Sequence, residues 1–469
     1  MSKKKWEFQM PTAYTILFVL LVIIAVITLF IPEVRHATVS DVVMSPVRGF
    51  ISASEVAIFV MFLGGFLGVI NKSGALGTGI EAIVKGLKGK EMRLIPILMI
   101  LFSLGGTTFG MAEETIAFYT LIVATMIAAG FDSLVGAAVI LLGAGVGVLG
   151  STVNPFAISA AVDALQGSFP DIVVNHTIII VIGTLLWLSS LAVAIYFVMR
   201  YASQMREDSG KSLLSKREKE ASAIMYHSDE EPPEVVFTGR MKAVLVIFAI
   251  AFIVMVVSLV PWENFGVTVF KNTTFLTGTS LGNWYFAELQ AWFFLCAIIA
   301  GYAGGLAESD IVQGFVSGAA DMVGVALIIA ISRGISVIMG DTGLDMYVLD
   351  KFSGMLSNVS PTVFTLGSYI IYLGLSFLIP SSSGLAAASM PTFGGLAGHL
   401  GLSPEVMIMI FSAANGLINL ITPTSGVVMG GLAIARLDWT TWMKFVLKVI
   451  GVILVLNVLV LCMAMVIFL

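Results

Sequence analysis

Residues 93–130 read RLIPILMILFSLGGTTFGMAEETIAFYTLIVATMIAAG, an apolar run that is interrupted at its middle by Gly, Thr and two Glu. An uninterrupted crossing of the ~30 Å hydrocarbon core of a bilayer needs ~20 apolar residues. Non-helical backbone at membrane depth is tolerated only where protein or a water-filled cavity satisfies its polar groups. The pattern therefore predicts a re-entrant hairpin, which enters and leaves the membrane on the same side. A second run at about 360–399 is interrupted in the same way and predicts a second hairpin.

The composition of the whole chain agrees with a membrane protein. Of its 469 residues, 58% are hydrophobic and 11% are charged, whereas a soluble domain carries about 25% charged residues. This excludes a soluble enzyme and a disordered chain, and the long apolar runs predict an all-α polytopic membrane protein. We expect full spans at about 12–31, 54–71, 177–200, 241–261, 288–306, 321–340 and 441–468, and polar-interrupted broken spans at about 134–166 and 404–435.

The positions of the basic residues predict the orientation. If neither hairpin crosses the bilayer, most of the 24 Lys and Arg fall on the side of the N-terminus, and basic loops mark the cytoplasmic side. We therefore expect a multi-pass protein with a cytoplasmic N-terminus. The polar stretch at 202–240, which contains SGKSLLSKREKEAS, is predicted to be a solvated cytoplasmic linker, and no nucleic-acid partner is expected.

The two halves of the chain resemble each other. SDVVMSPVRGF at 40–50 aligns with SDIVQGFVSGA at 309–319, and GFLGVINKSGAL at 65–76 aligns at the same offset with GISVIMGDTGLD at 334–345. Their loop charges predict opposite orientations, and inverted repeats with broken helices are typical of secondary transporters. The predicted units are a first inverted repeat at 1–201, the linker at 202–240, a connecting span at 241–261 and a second inverted repeat at 285–469.

The polar interruptions of the two repeats are the predicted binding site. Broken helices leave free N–H and C=O groups, which with Ser, Thr and Asn side chains suit anionic groups, ammonium groups or Na⁺. The alternative is that these side chains only satisfy kinked helices. The candidates are Thr107, Thr108, Ser151, Thr152, Asn154, Ser381, Ser382, Ser383, Asn419, Thr422 and Thr424.

Glu113, Glu114 and Arg333 are the charged residues that we expect at membrane depth. Glu113 and Glu114 follow the centre of the first hairpin, where they could bind substrate or cap the next helix. Arg333 could bind a substrate carboxylate or pair with Asp341 or Asp321. Charge at membrane depth costs at least ~2.5–3.5 kcal/mol, so we place all three in the candidate substrate site.

Other classes of membrane protein fit the sequence less well. It has no Walker-type glycine loop, which argues against an ATP-driven pump. An intramembrane enzyme would need a Ser–His dyad or paired His and Glu at depth, for which His399 is the candidate. We expect no catalytic residue, and a passive channel suits inverted hairpins less well than alternating access does.

With these motifs in view, the chain resembles a known family. GGTTFGMAEET at 105–115, LLGAGVGVLGSTVNPFA at 141–157 and TPTSGVVMGGLAIARLDW at 422–439 are similar to the YfcC-type carriers of the C4-dicarboxylate uptake C family, within the ion transporter superfamily. The resemblance implies a secondary carrier of the bacterial inner membrane with two re-entrant hairpins and two unwound helices. It also implies a homodimer with elevator-like movement.

The resemblance leaves the substrate divided between two classes. Relatives include arginine/ornithine exchangers of lactic-acid bacteria, whereas the family name points to C4-dicarboxylates. Two acids and one basic residue at depth favour exchange of a basic amino acid. The alternative is a Na⁺- or H⁺-coupled carrier of C4-dicarboxylates or another small organic ion. The chain needs no other cofactor, and Na⁺ could lie near Ser151, Asn154, Asn419 and Thr422.

Overall fold

The computed structural model describes residues 13–76, 78–79, 90–226, 238–259, 262–265, 267–356 and 359–468. Within these ranges the chain is helical and contains no strand. The α-helices are α1 (Ala13–Thr28), α2 (Val39–Ser52), α3 (Ser54–Lys72), α4 (Leu94–Phe109), α5 (Tyr119–Ala128), α6 (Ser133–Leu149), α7 (Ala160–Ser168), α8 (His176–Glu207), α9 (Lys216–Tyr226), α10 (Gly239–Leu259), α11 (Phe286–Gly304), α12 (Glu308–Asp321), α13 (Val323–Thr342), α14 (Leu344–Leu356), α15 (Pro361–Leu378), α16 (Ser382–His399), α17 (Pro404–Ile418), α18 (Gly426–Ile434) and α19 (Trp439–Ile467).

In the described part of the chain, eight helical segments are long and apolar enough to cross a membrane. They include α3, α8, α10, α11 and α19, and each of these lies on a span that the sequence predicts. The predicted span at 321–340 belongs to a longer apolar segment, because α12 precedes α13 with only Met322 between them. The protein is thus an all-α, multi-pass membrane protein.

The first interrupted run bends later than the sequence predicts. Its Gly105, Gly106, Thr107 and Thr108 lie inside α4, and the helix ends at Gly110, whose φ of +79° is left-handed. The two earlier glycines lie inside the helix and do not turn the chain, and Gly106 lies in the face of α4 that packs closely on α6. A Cβ at Gly106 would lie 2.9 Å from the backbone N of Val148. In membranes small residues serve this close helix approach.

A turn at Gly110–Ala112 then leads into a 3₁₀ segment, Glu113–Phe118, and into α5. Both α4 and α5 pack on α6. In the second run α15 ends at Leu378 and α16 begins at Ser382, so only part of the predicted turn at 380–384 is non-helical. There α15 and α16 both pack on α17, just as α4 and α5 both pack on α6.

The two broken spans are interrupted where the sequence places their polar residues. The first ends α6 at Leu149 and resumes as a π-helical segment, Pro155–Ser159, followed by α7. The second ends α17 at Ile418 and resumes with α18 at Gly426. Pro423 lies within the second interruption, and Pro155 follows the first as the first residue of the π-helical segment; Pro lacks the N–H that would continue a helix.

Two long helical segments pack along each other and form what we call the antiparallel frame. The segment α2–α3 packs along α12–α13, with α2 against α13 and α3 against α12. Three contacts mark its path: Gly49 beside Gly334, Gly64 beside Gly318, and Lys72 Nζ 3.0 Å from Asp310 Oδ1. Residue numbers rise along one segment as they fall along the other, so the two run antiparallel.

The polar linker is not only solvated, because α9 docks on the membrane helices. The Glu218 side chain is buried and accepts hydrogen bonds from the backbone N–H of Asp438 (2.9 Å) and from Thr441 Oγ1 (3.1 Å). Asp132, the N-cap of α6, accepts from Ser212 Oγ at 2.8 Å. The linker residues before 227 therefore hold together the ends of helices from both halves, and the rest of the predicted linker up to 237 lies outside the described residues.

Candidate functional site

A cavity of about 170 Å³ lies where the interruptions meet. Its walls come from the turn after α4, the turn before α16, the second broken span and the middle of α13. Seven of the predicted site residues line it: Glu113, Asn154, Arg333, Ser381, Ser382, Ser383 and Asn419. The structure thus brings together predicted residues that are far apart in the sequence.

The cavity contains two opposite charges. Glu113 is the first residue of the 3₁₀ segment, and Arg333 lies in the middle of α13. Both are partly buried, and neither has a hydrogen-bond or ion-pair partner among the described residues. Of the acids considered for Arg333, Asp341 instead lies 2.7 Å from Arg48. The side chain of Glu114 lies outside the described residues.

Four of the predicted residues in the first repeat lie behind the cavity wall. Thr107 is buried and donates to the Gly150 carbonyl at 2.7 Å, and Thr152 donates to the Thr107 carbonyl at 3.1 Å. Thr108 donates within its own helix, and Ser151 donates to the Val148 carbonyl. All four donate to backbone carbonyls and none lines the cavity, so the alternative role of satisfying helix backbone fits them better.

Asn154 connects this wall to the cavity. Its Nδ2 donates to Ser151 Oγ at 2.9 Å, and its Oδ1 accepts from the Phe156 backbone N–H at 2.9 Å. It also lies against the hairpin turn, because a Cβ on Gly110 would lie 2.8 Å from Asn154 Cγ. Asn154 therefore sets the position of the turn that carries Glu113.

The second half of the chain supplies an amide and hydroxyl wall. Asn419 Nδ2 donates to the Pro380 carbonyl at 2.7 Å and to Asn415 Oδ1 at 3.1 Å. Ser382 also donates to Asn415 Oδ1, at 2.8 Å. Thr422 and Thr424 lie outside the lining, where their hydroxyls are 2.7 Å apart. Asn415, one helical turn before Asn419, accepts from both Asn419 and Ser382 and does not itself line the cavity.

The proposed Na⁺ ligands fit unequally. The oxygens of Ser151 and Asn154 already accept hydrogen bonds, and Thr422 Oγ1 shares one with Thr424. By contrast, Asn419 Oδ1 is buried and has no hydrogen-bond partner within the described part of the chain. A cation ligand must offer a free oxygen lone pair, so among these four residues Asn419 fits Na⁺ best.

The cavity is also lined by residues that we did not predict from the sequence. Ser332 and Ser336 lie one helical turn apart on α13, beside Arg333, and the Ser332 hydroxyl donates to the Thr424 carbonyl. Phe156 and Tyr285 complete the lining with aromatic rings. Helical spacing around Arg333 could have predicted the two serines, whereas nothing local marks Tyr285.

Comparison with known proteins identifies the family. The family model described as DcuC, C4-dicarboxylate anaerobic carrier, matches residues 36–466. An uncharacterized protein of Haemophilus influenzae is 30% identical over 426 residues, which cover 91% of this chain and 78% of that protein. The "Putative basic amino acid antiporter YfcC" of Escherichia coli is 26% identical over 434 residues, covering 88% of this chain and 79% of the relative.

Two solved transporters align over most of the chain with low similarity. MtrF of Neisseria gonorrhoeae aligns with a TM-score of 0.43 and 16% identity, over 97% of this chain and 95% of its own. The YdaH transporter of Alcanivorax borkumensis aligns with a TM-score of 0.43 and 15% identity, over 97% and 98%. The family model and the sequence relatives establish the family of this chain without these two structures. The chain is a membrane transporter, not an enzyme, and it belongs to the DcuC family of C4-dicarboxylate anaerobic carriers.

Proposed function

We propose that this transporter exchanges basic amino acids, such as arginine and ornithine, by alternating access. The observation that carries the proposal is the presence of Glu113 and Arg333 in one cavity, with no hydrogen-bond or ion-pair partner for either among the residues that the structure describes. A buried charge without a partner is costly, and a bound ion of opposite charge removes that cost. A basic amino acid supplies both ions, because its carboxylate can bind Arg333 and its cationic side chain can bind Glu113.

A C4-dicarboxylate is the second candidate, since the family description names it. Such a substrate carries two carboxylates, of which Arg333 could bind one. The other would lie in the same cavity as the Glu113 carboxylate and would be repelled unless Glu113 were protonated. Coupling to H⁺, or to Na⁺ at Asn419, belongs to this alternative, whereas an exchanger is driven by the gradient of its counter-substrate.

We further propose that the two halves are inverted repeats with re-entrant hairpins. The segments α2–α3 and α12–α13 correspond in the internal alignment and run antiparallel in the structure. Corresponding segments that cross a membrane in opposite directions belong to inverted repeats. The proposed units are 1–201, 202–240, 241–261 and 285–469, in a homodimer of the bacterial inner membrane with a cytoplasmic N-terminus.

Counterflow in liposomes tests the proposed substrate. Purified protein is reconstituted into vesicles loaded with ornithine, with succinate or with buffer alone, and uptake of labelled arginine is followed with and without Na⁺. We expect uptake only into ornithine-loaded vesicles, independent of Na⁺. If folded protein gives no arginine uptake but exchanges labelled succinate into succinate-loaded vesicles, the dicarboxylate alternative is correct.

A further inference from the structure

Phe156 and Tyr285, which line the cavity together with a third aromatic residue, Phe286, pack against each other. The rings of Phe156 and Tyr285 have their centroids 5.6 Å apart at an interplanar angle of 42°. Both rings contribute to the lining that contains Glu113 and Arg333. Tyr285 is nevertheless 43% exposed, so it lies between the cavity and the outer surface of the molecule. The pair therefore forms the wall at one mouth of the cavity.

The two rings are held by different parts of the fold. Phe156 follows Asn154, whose Oδ1 accepts from the Phe156 backbone N–H and whose side chain touches the hairpin turn at Gly110. This arrangement places Phe156 on the same side of the cavity as the turn that leads to Glu113. A carboxylate and an aromatic ring on one wall both attract a cation.

Tyr285 comes from the start of α11, which packs on α3 and α10. Its backbone N–H donates to Glu288 Oε2 at 2.8 Å, and the other oxygen of Glu288 accepts from Thr279 Oγ1 at 2.9 Å. These bonds fix the backbone of Tyr285 at the start of the helix. The ring itself packs against the Phe286 ring, with centroids 4.6 Å apart, so a substrate side chain would meet it in a defined position.

We propose that Phe156 and Tyr285 determine specificity by binding the cationic end of the substrate side chain through their ring faces. The assignment rests on the proposed exchange of basic amino acids and adds what distinguishes them from neutral ones. A cation over a ring face is attracted by the ring quadrupole, whereas a neutral side chain of the same shape gains only apolar contact. Citrulline has nearly the shape of arginine but no charge on its side chain, so it isolates this contribution.

The test measures the preference for arginine over citrulline. Unlabelled arginine and citrulline each compete with labelled arginine for exchange into ornithine-loaded vesicles. The inhibition constant of citrulline divided by that of arginine is then compared among variants. We expect Phe156→Leu and Tyr285→Leu each to lower that ratio by about 3- to 30-fold. The aromatic replacements Phe156→Tyr and Tyr285→Phe should keep it. Phe62→Leu is a matched control, because it removes a ring that pairs with Phe294 outside the cavity lining.

The outcomes separate this inference from the proposed function. Wild-type protein that prefers arginine, with both leucine variants retaining the wild-type ratio, overturns the aromatic assignment alone. Wild-type protein that neither exchanges nor binds arginine overturns the proposed substrate and the aromatic assignment with it. If a leucine variant carries no flux, competitive binding to the purified protein in detergent gives the same ratio.

Discussion

Gly318 lies in the antiparallel frame, where α12 packs closely against α3, and we expect a side chain at this position to destabilise the protein. A Cβ at this position would lie 2.9 Å from Gly64 C and from Gly68 Cα, and closer still to the Gly64 carbonyl oxygen. Ordinary van der Waals contacts begin near 3.4 Å. Because these contacts are backbone atoms that cannot rotate away, α3 and α12 would have to separate by roughly 1 Å. Overpacking of this kind costs about 1–3 kcal/mol.

The assay is unfolding of purified Gly318→Ala in detergent, titrated with a denaturing detergent and followed by tryptophan fluorescence. Gly451→Ala in α19 is the matched control, because nothing lies within 4 Å of its added Cβ. Helix propensity favours Ala over Gly by up to ~1 kcal/mol, so the control should be unchanged or more stable. If Gly318→Ala matches Gly451→Ala in its free energy of unfolding, the close antiparallel contact is wrong.

Three further predictions concern the linker, the hairpin turn and the orientation. Glu218→Ala should cost about 1–3 kcal/mol in unfolding free energy, because it leaves buried donors at the start of α19 without an acceptor, whereas exposed Glu220→Ala should cost little. Gly110→Ala should lower exchange more than Gly130→Ala does. Both glycines have positive φ, but only the Cβ added at Gly110 would meet another side chain. Equal effects of the two replacements would contradict a role for the turn contact. Impermeant maleimide added to intact spheroplasts should label Lys271→Cys in the loop before α11 and not a cysteine in the linker; the reverse would invert the proposed orientation.

Much of the helical architecture could be predicted from the sequence, because apolar length decides which segments span a bilayer. The runs that became α3, α8, α10, α11 and α19 are long and weakly charged, so their helices follow directly. The position of the first turn could not be predicted in this way. Gly106 permits a turn as well as a close helix contact, and only the partner helix α6 shows which is used.

The charged residues of the candidate site could be predicted from the sequence more reliably than its hydroxyl residues. Glu113 and Arg333 stand out because charge is rare in apolar runs, and both line the cavity. Thr107 and Thr152 are hydroxyl residues at a polar interruption, as Ser382 is. Their hydroxyls nevertheless donate hydrogen bonds to backbone carbonyls behind the cavity wall. Tyr285 belongs to the cavity only through tertiary packing, which one sequence does not record.

We propose that Arg333 binds the carboxylate of a basic amino acid whose cationic side chain binds Glu113. Agmatine, which is arginine without its carboxylate, tests the two ends separately in a competition assay against labelled arginine. Hydrogen bonds to charged groups contribute about 1.5–3 kcal/mol, so Arg333→Gln should weaken arginine by about 10- to 100-fold and leave agmatine nearly unchanged. Glu113→Gln should weaken both, and Lys271→Gln, a replacement of an exposed cation, should weaken neither. Equal loss of arginine and agmatine in Arg333→Gln, or no loss of either, would contradict the account.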